Sequence, residues 1–248
     1  MLPPNAISLD ARLSAIRDLA GSCACFADIG ADHGRLGAHM LLRGLCGRAQ
    51  LADISEASLS KARRLIYGLG LTDRVEFCVG DGAQALSEPP DVAVIAGMGG
   101  QTIAGILERG RDVLSRARLI LQPNVAAPEL RARLQAAHFR IVDETIARDG
   151  RRLYVIIVAE AGEMRLTPEE IEGGPVLLRR RPENLPAYAA FRLRVAGKAL
   201  QGARRGQGDA AVFEREIAIW EAVLHGDGQR HTGASGGHRA PGNTGRMG

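Results

Sequence analysis

The stretch FADIGADHGRL, Phe26–Leu36, decides how the rest of the chain reads. An apolar run, Cys23–Ile29, ends at Gly30, and the chain then turns helical from His33. A short apolar run that stops at glycine and gives way to a helix is the start of a strand–helix alternation. The loop carries two carboxylates, Asp28 and Asp32. A dinucleotide-binding loop would instead have G-x-G-x-x-G, which lets a pyrophosphate rest on the helix N-terminus. Here Gly30 and Gly34 remain and the acids would repel a phosphate, so the loop suits a ligand with a cationic, amine-bearing end.

Working outward, strands are expected at Ala49–Ile54, Val75–Val79, Val92–Ala96 and Leu119–Leu121. Helices are expected at Glu56–Leu69, Gln101–Arg109 and Pro128–Ala137, with one before the first strand carrying Leu9, Leu13, Ile16 and Leu19 at helical spacing. Two last strands, Arg140–Ile146 and Leu153–Ala159, flank Asp149-Gly150, a hairpin signal. The fold class is therefore α/β: a doubly wound, Rossmann-like sheet whose last strand is antiparallel, as in class I S-adenosylmethionine-dependent methyltransferases. After Gly162 the character changes. A polar, Pro- and Gly-containing connection leads into two helices, Ala187–Leu200 and Ala210–Leu224, and from Arg179 to Glu216 nine basic residues stand against four acidic ones. The expected organisation is a methyltransferase domain at 1–165, a small C-terminal helical hairpin at 166–225 that contacts RNA, and a disordered tail at 226–248. Removing everything from Leu166 is expected to leave the sheet folded.

Composition narrows the function classes. The 248 residues are 46% hydrophobic, enough for a core, but only 4% aromatic. The net charge is +4 and the pI near 9.2, compatible with a polyanionic partner. Cys23, Cys25, Cys46 and Cys78 form no C-x-x-C pair, and buried thiols are expected rather than a metal site or disulfides. The first ten residues lack the basic start and apolar core of a signal peptide. No apolar run approaches the roughly 20 residues that span a bilayer. A cytoplasmic protein is expected, without membrane or metal, its oligomeric state undecided and a monomer favoured.

In a doubly wound sheet the ligand binds at the carboxyl ends of the strands. After the first strand stand Asp28, Gly30, Asp32 and His33. The two acids fit the ammonium and sulfonium of S-adenosylmethionine. His33 either caps the helix or touches the cofactor. After the second strand, Asp53 and Ile54 offer a carboxylate for ribose hydroxyls, a device NAD proteins share. After the third, Asp81 and Gly82 offer an acceptor for an adenine amino group. The fourth ends in IAGMGG, where Gly97, Gly99 and Gly100 around Met98 let the backbone approach a flat ligand closely, Gly100 being the candidate for the substrate. The fifth ends in LILQPN, where Gln122, Pro123 and Asn124 are candidates for a Watson–Crick edge. At the hairpin, Arg148, Arg151 and Arg152 are candidates for phosphate and Tyr154 for stacking a displaced base. A transition state that moves positive charge onto a substrate ring is stabilised by a carboxylate, and Asp32 is the candidate catalytic group, with cofactor orientation as its competing role.

Together, ADIGADHGRL, GDG, IAGMGG, LILQPN and LYVIIVAEAG resemble the bacterial tRNA (adenine-22-N1)-methyltransferases, the TrmK family, over roughly residues 8 to 162. The resemblance implies methyl transfer from S-adenosylmethionine to N1 of an adenine in tRNA, with cofactor contacts from Asp28, Gly30, Asp32, Asp53, Asp81, Gly82 and the AGMGG loop. It also implies a coiled-coil-like C-terminal domain. Asp53-Ile54-Ser55 stands where Glu-Ile-Thr is common, and Gly37 where a proline is common. Two other readings stay open from the residues: a methyltransferase of the same fold acting on a small molecule or protein, and a non-catalytic RNA-binding module.

Overall fold

The computed structural model describes residues 7–206 and 209–226. The tail expectation for residues 227–248 and the leader reading of the first six residues lie outside the described residues. Asp10 caps the first helix, α1 (Ala11–Ala20), its carboxylate accepting from the Leu13 amide at 2.7 Å. The alternation then runs β1 (Cys23–Ile29), α2 (Arg35–Leu42), β2 (Cys46–Asp53), α3 (Glu56–Gly68) and β3 (Val75–Val79). It continues with β4 (Val92–Gly99), α4 (Gly100–Arg109), the four-residue α5 (Arg111–Leu114), β5 (Arg118–Val125) and α6 (Ala127–Ala136). The hairpin β6 (Phe139–Asp149) and β7 (Arg152–Ala161) closes the sheet. Its order is β3-β2-β1-β4-β5-β7-β6, with β7 antiparallel to both neighbours and the other pairs parallel. Reversal of strand order between β1 and β4 makes the crevice above these two strands the ligand position.

Two apolar layers sandwich the sheet, as the period-2 alternation of side chains requires. Ala27, Ile95, Leu119, Leu121 and Ile157 pack on the side of α4 and α6. Phe26, Leu51, Val94, Ile120 and Ile156 pack on the side of α1, α2 and α3. Cys25, Cys46 and Cys78 are buried and Cys23 is half-buried. Burial raises the Cys23 thiol to about 11 and the Cys46 thiol to about 12, so neither is poised as a nucleophile.

Two expected element boundaries need correction. The strands β4 and β5 run past their expected ends, so Gly97–Gly99 and Gln122–Asn124 are strand residues rather than loop. The register between them is irregular from Ala96 to Gly99, a bulge for which Gly97 supplies a φ of 78°. The second correction concerns residues 163–184. They hold two short helices, α7 (Pro168–Gly173) and α8 (Pro175–Arg180), where a polar connection was expected. The signal was present in Thr167-Pro168-Glu169-Glu170: Thr167 and Glu170 form a reciprocal capping box.

The long hairpin α9 (Leu185–Arg205) and α10 (Ala210–His225) follows. It is not a separate layer with its own core. Leu177, Leu185, Tyr188, Ala189, Trp220 and Val223 are buried in the same apolar cluster as Leu119 and Ile157. Beneath them Arg131 and Glu144 form a fully buried ion pair at 2.8 Å. Its remaining bonds come from the C-terminal region: Arg131 donates to the carbonyls of Ile171 and Glu172, and the Val176 amide donates to Glu144 at 2.9 Å. Removing residues from Leu166 onward would therefore strip partners from two buried charges, and the sheet does not keep its burial intact.

No described helix is long and apolar enough to cross a membrane. No group of three or more described His, Cys, Asp or Glu residues is placed to hold a metal ion.

Candidate active site

Two cavities open on the carboxyl edge of the sheet. The first, about 430 Å³, lies over the end of β1 and is lined by Asp10, Arg12, Leu13, Asp28, Gly30, Ala31, Asp32, His33, Arg35, Leu36, Ala96 and Gly97. The second, about 830 Å³, lies between the β6–β7 turn and α9. It is lined by Arg12, Gly97, Asn124, Arg148, Arg151, Arg152, Leu153, Tyr154, Ala187, Ala190, Phe191 and Arg194. Arg12 and Gly97 belong to both. Three carboxylates line the first cavity, together with Arg12 and Arg35. Five arginines line the second, and no described Asp or Glu does. Such a pair offers a seat for a cation beside a seat for an anion.

The acidic cavity is built by backbone as much as by side chains. Gly30, at φ 81°, turns the chain out of β1, and the Met98 side chain reaches over it: a Cβ at residue 30 would stand 2.2 Å from Met98 Cε. Asp32 also has a positive φ, 42°, a conformation that aspartate tolerates better than most residues. Its carboxylate meets His33 Nδ1 at 2.5 Å and Lys61 Nζ at 3.7 Å. The helix cap is Gly34, without a side-chain bond, so His33 does not cap α2. Asp53 accepts from the Ser55 amide at 2.8 Å and stands 3.4 Å from the Asp32 amide, which ties the ends of β1 and β2 together. The Ile54 side chain beside it is exposed. Asp81 and Gly82 sit further along the edge. Asp81 pairs with Arg109 at 3.1 Å, and Gly82, at φ 62°, packs against Ile106.

Asp28 is the buried member of the set, 7% exposed. Burial pushes its carboxyl up to about 7; the Arg12 guanidinium pulls the other way and Asp53 adds to the rise. The folded chain thus keeps this proton up to about pH 7, whereas the unfolded chain releases it near 3.8. The ligand-free protein loses stability as pH rises through that window. A bound cation reverses the preference and expels the proton. Affinity for a cationic ligand should therefore climb with pH between about 6 and about 7.5, then level off. Titration calorimetry across that range would show it, and Asp28→Asn should flatten the climb. A parent protein with pH-independent affinity would exclude the assignment.

The IAGMGG and LILQPN motifs do meet, but not all of their residues face a ligand. Gln122 is wholly buried and its amide is spent. Its Oε1 accepts from Arg12 at 2.9 Å and from the Gly97 amide at 3.2 Å, and its Nε2 donates to Asn124 at 3.1 Å. That corrects the expectation of a Watson–Crick contact: Gln122 positions Arg12 and the bulge. Pro123 is buried too. Asn124 is exposed, donates to the Gly97 carbonyl at 2.7 Å and lines the arginine cavity. Gly100 is also corrected. It is buried at the start of α4, and a Cβ there would stand 2.2 Å from the Ala126 carbonyl oxygen. Its smallness serves helix-to-loop packing. Gly99 remains at the strand end, where an added Cβ would meet Thr102 and Val125 at an ordinary 3.8 Å.

The hairpin residues are where topology placed them. Arg148, Arg151, Arg152 and Tyr154 all line the second cavity. The turn residues are Gly150 and Arg151, with Gly150 at φ 58°. Arg12, which lies 5.7 Å from the Tyr154 ring centre, was not singled out from the sequence. One signal could have found it. It is the second residue of α1, where the helix dipole disfavours a cation, so an arginine there is held by something else. The pattern of α9 does not place it over the sheet edge, so Phe191 and the basic Arg194 carry no local mark of a cavity.

A family model described as a methyltransferase domain matches residues 9–157. The tRNA (adenine(22)-N(1))-methyltransferase of Bacillus subtilis is 35% identical over 161 residues, 64% of this chain and 68% of that one. Among solved structures, the tRNA methyltransferase TrmK of B. subtilis is 26% identical with a TM-score of 0.80, covering 88% of this chain and 99% of that chain. Streptococcus pneumoniae Sp1610, in complex with S-adenosyl-L-methionine, is 31% identical with a TM-score of 0.79, covering 88% of this chain and all of that one.

Proposed function

We infer the function from family and site together: the chain belongs to the methyltransferase-domain family, and within it to the tRNA (adenine(22)-N(1))-methyltransferases. It is an S-adenosylmethionine-dependent enzyme that methylates N1 of an adenine in tRNA, adenine 22. The observation that carries the reading is the shared wall of the two cavities. An acidic seat for a sulfonium cofactor and an arginine-lined seat for RNA meet at Arg12 and Gly97.

The donor set fits the cofactor. Asp28 and Asp32 would hold its cationic methionine end, Gly97 leaves backbone room, Asp53 would take the ribose hydroxyls and Asp81 the adenine amino group. When bound, S-adenosylmethionine supplies an electrophilic methyl group whose carbon is taken by adenine N1 while sulfur keeps the bonding electrons. Neutral adenine already has an N1 lone pair, so the chain need not supply a strong base. Its residues orient the base and exclude water. Asp32 lines the acidic cavity and not the arginine cavity, which favours the orienting role over direct contact with the base. Asp32→Asn should then weaken cofactor binding more than turnover. The arginines would hold the phosphates and repay the few kcal/mol that taking a base out of its stack costs. A cytoplasmic setting agrees with tRNA as substrate and with four free cysteines, and the chain is read as acting alone, as a monomer.

Nucleoside mass spectrometry of tRNA incubated with the enzyme and cofactor tests the reaction: 1-methyladenosine at position 22 is expected. Transfer to metabolites or peptides instead would overturn it. Replacing Arg151 and Arg152 together by alanine should weaken tRNA binding. It should also flatten the slope of log affinity against log salt by about 0.7–0.9 for each phosphate the variant no longer neutralises. An unchanged slope would remove the turn from the RNA path.

A further inference from the structure

The arginine cavity is larger than one base requires. At about 830 Å³ it lies near the top of the roughly 300–1,000 Å³ range of pockets that enclose drug-sized ligands, whereas a single nucleoside belongs near the bottom. Its aromatic side chains come from different parts of the chain. Tyr154 is on β7, next to Arg12 and the shared wall. Phe191 is on α9 and 43% exposed, although aromatics make up only 4% of this chain. Phe26, Phe139 and Trp220 are buried as core filling, and of the exposed aromatics Phe191 and Tyr67 it is Phe191 that lines this cavity. Arg194 holds its guanidinium over the Phe191 ring, 6.0 Å from its centre, so a cation suited to phosphate and an aromatic ring stand together. Tyr188 also packs near Phe191, ring centres 6.3 Å apart and the planes tilted by 37°.

We propose that Phe191 and Arg194 form a second nucleotide subsite, which stacks the base adjacent to the target adenine and holds the phosphate between them. The inference rests on the tRNA reading above and adds to it a contact to a neighbouring nucleotide, made by the helical hairpin inside the active-site mouth. Stacking accepts any base, so the subsite requires an unstacked neighbour rather than a particular sequence. It selects an adenine in a stretch of RNA that can open by two nucleotides.

The test is a cycle between protein and RNA, using the full chain. Affinity for tRNA is measured without cofactor for the parent and for Phe191→Ala. The RNAs are intact tRNA and two transcripts in which the nucleotide 5′ or 3′ to the target adenine lacks its base. One abasic transcript should bind the parent roughly tenfold more weakly. Phe191→Ala should lose a similar factor on intact tRNA and become indifferent to that abasic site. Phe191→Tyr keeps the ring and should behave as the parent does, which controls for misfolding. Losses that multiply, or a parent indifferent to both abasic transcripts, would overturn the subsite. Methyl transfer by the parent is scored separately. A parent that completes the binding cycle without methylating intact tRNA would count against the functional reading while the subsite stands.

Discussion

Glu144→Ala is expected to destabilise the chain by about 3–5 kcal/mol, the cost of leaving a buried arginine without its counter-charge. Glu144 and Arg131 are almost fully buried, and Glu144 accepts from Arg131 and from the amides of Val176 and Leu177. One guanidinium nitrogen of Arg131, Nη2, is already without a hydrogen-bond partner. Domains commonly have only about 5–15 kcal/mol in total, so a large part of the margin disappears. For a chain of this size the midpoint of thermal unfolding should fall by roughly 6–20 °C. Calorimetry would read it. Replacing both partners by apolar residues of similar volume should recover most of the loss, because neither charge then remains uncompensated. A chain ended before Leu166 should behave like the single variant or worse. A sharp, parent-like transition in either would show that the ion pair is not integral to the fold.

Gly100→Ala should produce the second large effect, and it separates two roles for one residue. A glycine that merely lets a base approach could accept a methyl group with full stability and a loss confined to tRNA kinetics. Here the added carbon meets the backbone oxygen of Ala126, a residue itself held at φ 61°. Neither backbone can yield cheaply. Overpacking of this kind costs typically 1–3 kcal/mol and occasionally more. The start of α4 would be pushed from β5, and both stability and cofactor affinity should fall together. Differential scanning calorimetry with a cofactor titration on the same sample checks both. Unchanged stability with impaired tRNA turnover would return Gly100 to a substrate role.

Much of the sheet was legible because β1 to β3 end where hydrophobic alternation meets a glycine or an acid. The ends of β4 and β5 were not, because Gly97–Gly99 and Gln122–Asn124 have the composition of loops. Pairing across a bulge makes them strands, and pairing is a tertiary fact. The acids after β1 and the arginines of the β6–β7 turn gathered at the sheet edge, since topology alone carries them there. Gln122 misled for a definite reason. A polar amide after a strand offers the same donors and acceptors whether it faces a ligand or a buried arginine, and only burial distinguishes the two. Arg12 and Phe191 come to the cavities from the first helix and the ninth, a juxtaposition no local pattern records.

The chain has a single tryptophan, Trp220, on the last helix. It is fully buried, edge-on to Tyr188 at 5.4 Å, and its indole donates to Glu172 at 2.9 Å. Because its neighbours merge with the core under β5 and β7, the emission of this one indole is a gauge of the catalytic sheet, not of the C-terminal hairpin alone. Its wavelength should shift in the same transition that far-ultraviolet dichroism follows for the strands, since a core shared by both parts melts as one. Every variant described above can thus be ranked by intrinsic fluorescence, without a label and without touching a residue of either cavity.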